Sequence, residues 1–240
     1  MGQGVAWAAR ELGVPCTVVV PDHAPETKLA AIERLGGHIV KVTHERWWEA
    51  LSTSSYPEAG GIFVHPVQDE RVMAGNGTIG LELLDDLPDP DAVLVPFGGG
   101  GLSVGIASAV KQLRPETRVY AVEPETGAPL TASLATGEPQ QVEYTPSFVD
   151  GSGSPAVLAP MWPRVREALD GAFAVSIDET AAAVRLLAER ARVVAEGAGA
   201  LGLAAALAGH AGSGKLVCIV SGGNIDASRL ATILRGETPR

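Results

Sequence analysis

Four consecutive glycines, Gly98 to Gly101, stand between the apolar run AVLVPF and the helical pattern LSVGIASAVKQL. A tight strand-to-helix turn needs one or two residues free to take positive φ, so four exceed what the turn alone requires. Placed there, they bare several backbone N–H groups beside the positive end of a helix. That is an environment for a small anion such as phosphate. The strand-like RVYAVEP follows the helix, which completes a βαβ unit with parallel strands.

The same alternation runs along the chain. GVAWAAREL has helical spacing, CTVVVP reads as a buried strand, and PETKLAAIERLGG reads as a helix closed by Gly36 and Gly37. HIVKV and GIFVHP read as strands separated by the helical ERWWEALST, and a longer helix runs from Asp69 to Leu87, weakened by Gly75 and Gly77. After a loop-rich stretch from Glu125 to Pro163, Ser176 and Glu179 fit a capping box opening the helix DETAAAVRLLAERARVV. GALGLAAALAG is a further helix, KLVCIV a last strand, and a closing helix ends near Arg235. Apolar strands unbroken by polar residues indicate an α/β fold whose parallel sheet is covered on both faces. Two unequal lobes are expected, residues 1–69 and 70–240.

A chain of 240 residues with 46% hydrophobic and 19% charged residues can bury a sizeable core, which sets aside disordered and fibrous classes. Its formal charge of −10 opposes nucleic acid or an anionic membrane surface as partner, so an anionic ligand needs a local site. The ALGLAAALAG stretch is too short to cross a bilayer and the start has no basic leader, so a cytoplasmic location is expected. Cys16 and Cys218 lie in apolar runs and read as buried, reduced thiols. The histidines at 23, 38, 44, 65 and 210 are scattered and form no metal-ligand spacing.

Ser221 to Asn224 form a second strand-loop-helix junction, so both loops open at the carboxyl ends of parallel strands and can flank one ligand. Ser221 either hydrogen-bonds a heteroaromatic nitrogen or caps the final helix. Glu196 ends a helix at a glycine-alanine turn, where a lone glutamate is usually solvated. Glu123 ends its strand and fits a ribose hydroxyl of a dinucleotide. Against that reading, Ser103 and Val104 stand where the third glycine of a dinucleotide fingerprint belongs.

VPFGGGGL at 95–102, HPVQDERVMAGNGTIGLELL at 65–84, YAVEP at 120–124, VAEGAGA at 194–200 and VSGGN at 220–224 form an ordered set spanning nearly the whole chain. The set resembles the serine/threonine dehydratases, pyridoxal-phosphate enzymes of fold type II, tryptophan synthase beta-like. The resemblance implies a two-lobed Rossmann-like architecture whose small lobe closes on an amino acid substrate. Gly98, Gly99, Gly100, Gly101 and Leu102 would hold the cofactor phosphate, Ser221 would hydrogen-bond the pyridine nitrogen, and Glu196 would lie near the ring. Loss of the β-hydroxyl of L-threonine or L-serine would yield a 2-oxo acid and ammonia, with a racemase as a related activity. A homo-oligomer, a dimer at full length, is also implied.

In the family the catalytic lysine, which also holds the cofactor as a Schiff base, precedes a Ser-Gly-Asn-His-x-Gln-Gly segment. Here Met1 stands at the histidine position, followed by Gly2, Gln3 and Gly4, so that lysine and the first part of the large lobe are expected to be missing. Lys28, Lys41, Lys111 and Lys215 match no such motif. In relatives with a divalent cation Glu123 would be a ligand, but Pro129 replaces an acidic partner, so no metal is expected. A truncated relative that binds phosphate or a partner without catalysis is the alternative, and a nucleotide-dependent enzyme using Glu123 comes third.

Overall fold

The computed structural model describes residues 1–239. Its backbone contacts divide the chain into two compact units, Met1–Pro66 with Asn224–Asp226, and Val67–Gly223 with Ala227–Arg240.

The first unit contains α1 (Gly2–Leu12), β1 (Thr17–Pro21), α2 (Glu26–Arg34), β2 (His38–Val42) and α3 (His44–Thr53). β1 and β2 pair in parallel from Thr17 opposite His38 to Pro21 opposite Val42, joined by α2. Leu29, Ala31 and Ile32 of α2 supply its buried face. Gly37 is small because a Cβ there would lie 2.7 Å from Cγ2 of Ile32. Asn224–Asp226 returns to this unit, where Gln3 Nε2 donates to Asn224 Oδ1 at 3.0 Å and Thr27 Oγ1 to Asp226 Oδ1 at 2.6 Å. GIFVHP forms no strand. Gly60 and Gly61 hold positive φ where it begins, and neither strand of the two-stranded sheet pairs with it.

The second unit holds a parallel sheet in the order β5-β4-β3-β6, with β3 Ala92–Pro96, β4 Arg118–Pro124, β5 Gly171–Val175 and β6 Leu216–Cys218. Every residue of β3 is buried, which requires cover on both faces. α5 (Gly101–Leu113) packs on β3 and β4, backed by α4 (Glu70–Asp86) and α7 (Trp162–Ala168). α9 (Gly197–Leu207) packs along all four strands, backed by α8 (Ile177–Leu186), against which α10 (Ala227–Leu234) lies. The loop-rich stretch also folds more than its composition suggests: α6 (Pro129–Thr136) and the start of α7 fall within it. β5 follows it. GAFAV is short and lacks the Val/Ile run that marks the other strands, which hid it.

α4 is unbroken despite its glycines. Gly77 and Gly80 face α5, where Cβ atoms would lie 3.1 Å from Gly105 O and 3.0 Å from Ile106 O. They form a close helix crossing rather than a weak point. The helix expected to reach Val194 instead passes through a π turn, Leu187–Ala191, and stops at Arg192, whose φ is 59°. This turn carries Ala195 and Glu196 back towards the sheet.

The capping box forms as its spacing requires. Ser176 Oγ accepts from Glu179 N at 3.1 Å, and Glu179 Oε2 accepts from Ser176 N at 2.8 Å. Ser176→Ala is expected to cost about 1 kcal/mol, read from urea denaturation. Hydrogen bonds from the Ser176 amide and hydroxyl hold the Glu179 carboxyl below its ordinary value. Its contribution is therefore present above the ordinary glutamate pKa and is lost as pH falls through the lowered value. Cys16 and Cys218 are unpaired and half-buried, and burial pushes the Cys218 thiol up to about 11. No helix among the described residues is long and apolar enough to cross a membrane.

Candidate functional site

β3 lies between β4 and β6, so the segments leaving β3 and β6 emerge as neighbours at the carboxyl end of the sheet. Pairing of Leu94 with Cys218, followed by the bond from Ile219 N to Leu94 O at 3.0 Å, keeps them side by side beyond β6. The tetraglycine loop follows the first segment, and Ser221–Gly223 follows the second.

Gly100 is the N-cap of α5 with φ 96°, a conformation that a side chain would strain. A Cβ there would also lie 3.1–3.3 Å from Phe97, Val165 and Met161. Gly98 and Gly99 have different reasons to be glycine. Cβ atoms at these positions would lie 3.1 Å from Gly151 O and 2.5 Å from Val67 Cγ2. The result is a bare backbone turn at the start of a helix. Gly100 O accepts from Val104 N at 2.9 Å and from Ser103 Oγ at 3.2 Å, which secures the first turn. The amides of Gly98, Gly99, Gly100, Gly101 and Leu102 have no acceptor among the described residues.

Glu196 is half-buried and stands at the N-cap of α9 rather than at a helix end. Its amide donates to Gly222 O at 3.0 Å. Its Oε1 lies 2.7 Å from where a Gly222 Cβ would be and 3.4 Å from where a Gly151 Cβ would be. Glu196 is thus joined to the loop of Ser221 on one side and to the neighbour of Gly98 on the other. Ser221 itself is exposed, six residues before α10 begins at Ala227, so it does not cap that helix. The alternative capping role falls away.

The sequence reading missed Gly151–Ser154. Ser152 and Ser154 are buried, and Gly151 sits between Gly98 and Glu196, where its own Cβ would meet Ala198 Cβ at 2.9 Å. The run Gly151-Ser152-Gly153-Ser154 was the available signal: small residues in succession fit where backbones approach closely.

Glu123 is fully buried, and its oxygens are taken by the first turn of α6. Oε1 accepts from Leu130 N at 3.0 Å, while Oε2 accepts from Thr131 N and Thr131 Oγ1, both at 2.7 Å. Burial pushes the carboxyl up from its ordinary value, against the pull of these hydrogen bonds. A carboxylate so engaged does not serve a ribose hydroxyl, which corrects the nucleotide reading.

Lys111 and Lys215 lie at the other end of the sheet from the glycine loops. Lys111 occupies the last turn of α5, about 15 Å along the helix from Gly101. It pairs with Asp170 at 2.7 Å. Lys215 precedes β6 and pairs with Asp89 at 2.6 Å. In the first unit, Lys41 lies 3.6 Å from Glu26 and Lys28 lies on α2.

Comparison with known proteins agrees with this geometry. The L-threonine ammonia-lyase of Thermotoga maritima is 42% identical over 239 residues, covering 97% of this chain and 58% of that protein. Serine racemase of Rattus norvegicus is 36% identical over 244 residues, 99% of this chain and 73% of its own. The crystal structure of a T.th. threonine deaminase superposes with a TM-score of 0.84 at 39% identity, covering 94% of this chain and 75% of that one. The chain spans less than two thirds of the length of the L-threonine ammonia-lyases of Thermotoga maritima and Geobacter sulfurreducens. With the family model for pyridoxal-phosphate dependent enzymes matching residues 1–222, and a parallel α/β fold presenting a bare glycine turn at a helix start, the chain belongs to the pyridoxal-phosphate dependent enzyme family.

Proposed function

We propose that this chain forms the phosphate-binding and ring-binding part of a pyridoxal-phosphate dependent ammonia-lyase acting on L-threonine or L-serine. The observation that carries the reading is the turn Gly98–Leu102 at the N-terminus of α5, whose five amides have no acceptor among the described residues. These amides and the helix dipole suit a phosphate dianion, the local site that an anionic ligand needs in a chain of net charge −10. The cofactor fits the remaining residues as well. The exposed hydroxyl of Ser221 is available to a ring nitrogen, and Glu196, braced between Gly151 and Gly222, would flank the ring. When bound, pyridoxal phosphate supplies an electron sink for negative charge at the substrate α-carbon. A hydroxyl partner at the ring nitrogen, in place of a carboxylate, leaves that nitrogen largely unprotonated.

Racemisation of serine is the second reading, favoured by the 36% identity to serine racemase. Both reactions remove the α-proton, and they part at loss of the β-hydroxyl against return of the proton. Lys111 and Lys215 are engaged in ion pairs away from the glycine loops, so neither serves as the cofactor's lysine. A dimer and a cytoplasmic location belong to the same proposal.

The test is titration of the 240-residue chain with pyridoxal phosphate, with inorganic phosphate as competitor, followed by hydrogen exchange and borohydride trapping. Slowed exchange at Gly98–Leu102, competition by phosphate, and no label on Lys111 or Lys215 are expected. Unchanged exchange in that turn at saturating cofactor would refute the assignment. The two reactions are separated on L-serine in a chain that also carries the family's lysine, which none of Lys28, Lys41, Lys111 and Lys215 matches: pyruvate marks the lyase and D-serine the racemase.

A further inference from the structure

The Glu123 carboxylate forms a fully buried clasp outside the cofactor-binding turn, and its contacts lead to that turn step by step. By holding Leu130 and Thr131 it closes residues 123–131 into a loop tied at both ends. Inside that loop Gly127 N donates to Pro124 O at 3.1 Å, which sets a tight turn. The turn packs on the segment that touches the glycine loop: a Gly127 Cβ would lie 3.0 Å from Ser154 N, and a Gly153 Cβ 3.1 Å from Pro124 Cγ. Thr126 O also accepts from Thr145 N at 2.8 Å. Two residues back from Gly153, Gly151 O lies 3.1 Å from where a Gly98 Cβ would stand.

We propose that Glu123 is a positioning residue for the anion-binding turn. Through α6, the 124–127 turn and Gly151–Ser154 it fixes the backbone at Gly98, using amide and hydroxyl donors in place of a metal ion. A cation at this carboxylate would have to displace three donors at 2.7–3.0 Å and would find Pro129 where the resemblance would place a second acid. A glutamine cannot take over, because its NH2 group would face the Leu130 amide in one orientation and the Thr131 amide in the other, leaving a buried donor opposed by a donor.

The inference rests on the phosphate assignment only for its ligand readout, so the first measurement uses no ligand. In hydrogen exchange on the unliganded chain, Glu123→Gln is expected to accelerate exchange at Gly127, Leu130–Thr131, Ser154 and Val104, whose amide donates to Gly100 O in the anion-binding turn, with α8 and α9 unchanged. Uniform acceleration, or acceleration confined to α6, would show a merely structural role and overturn the proposal. The second measurement is binding of inorganic phosphate, expected to weaken by about fivefold or more. Unchanged affinity alongside the altered exchange would also overturn it. If the unaltered chain binds no phosphate, the cofactor assignment fails while the exchange pattern still decides the role of Glu123. Thr131→Val, which removes one of the three donors and keeps the amides, should give the same pattern at smaller amplitude, and it serves if Glu123→Gln does not fold. Millimolar Mg2+ or Ca2+ is expected to leave exchange unchanged. Slowing at residues 127–131 that the Gln variant abolishes would assign the carboxylate to a cation and overturn the donor clasp.

Discussion

Gly105→Ala is expected to destabilise the fold by about 3 kcal/mol, at the upper end of what overpacking usually costs. The added Cβ would lie 2.3 Å from Met73 O and 2.9 Å from Asn76 Cβ, and 3.2 Å from Gly77 N. Two of those three neighbours are backbone atoms of α4, so a rotamer change gives no relief and the helices must separate. Gly77 and Gly80 sit on the opposing surface at similarly short range, which means that separation also undoes their packing. Such a loss is a large share of the roughly 5–15 kcal/mol available to a domain of ordinary stability. Gly75→Ala gives the opposite sign on the same helix. That position is exposed with nothing within 4 Å of the new Cβ, so about 0.5–1 kcal/mol should be gained. Urea midpoints of the two variants check both signs, and equal midpoints would mean that α4 and α5 do not cross at this distance.

These two glycines show where the sequence was legible and where it was not. Propensity treats Gly75 and Gly77 alike, as weak points of one helix. Only the neighbouring helix distinguishes them, and no local pattern in residues 69–87 contains its position. The strands β1, β3 and β4 were plain because their apolar runs are long and bounded, whereas β5, half-buried along most of its length, carries a diluted signal. GIFVHP had the composition of a strand but no partner in the two-stranded sheet, and strands are made by pairing.

In the candidate site the glycine turn was readable because its chemistry is local: four residues between a strand and a helix determine which atoms are bare. Glu196 was not readable in the same way. A glutamate before a glycine-alanine run looks solvated until the chain reversal after the π turn brings it to Gly222. Glu123 was left open for the converse reason. Its place at a strand end suits a ribose ligand, but the partner that claims it, α6, lay in a stretch whose composition looked like loop.

Gly199→Ala is expected to weaken pyridoxal phosphate binding by at least about tenfold, or 1.4 kcal/mol, while leaving inorganic phosphate affinity nearly unchanged. The difference follows from where the new methyl group would go. It would lie 2.5 Å from Gly222 O and 3.2 Å from Gly222 N, so the Ser221–Gly223 turn has to move. Gly222 O also accepts the Glu196 amide at 3.0 Å, and displacing it disturbs the residue proposed to flank the ring. The amides of Gly98–Leu102 belong to another strand's loop and keep their geometry. A ligand held only by its phosphate should therefore be indifferent, and one held at both ends should not. Gly80→Ala supplies the control: its Cβ would lie 3.0 Å from Ile106 O in the crossing of α4 and α5, so stability falls without a push on the Ser221–Gly223 turn. Comparing both ligands across both variants by equilibrium titration separates site distortion from general destabilisation. Parallel losses for phosphate and cofactor in Gly199→Ala would show that the two loops do not divide the ligand as proposed.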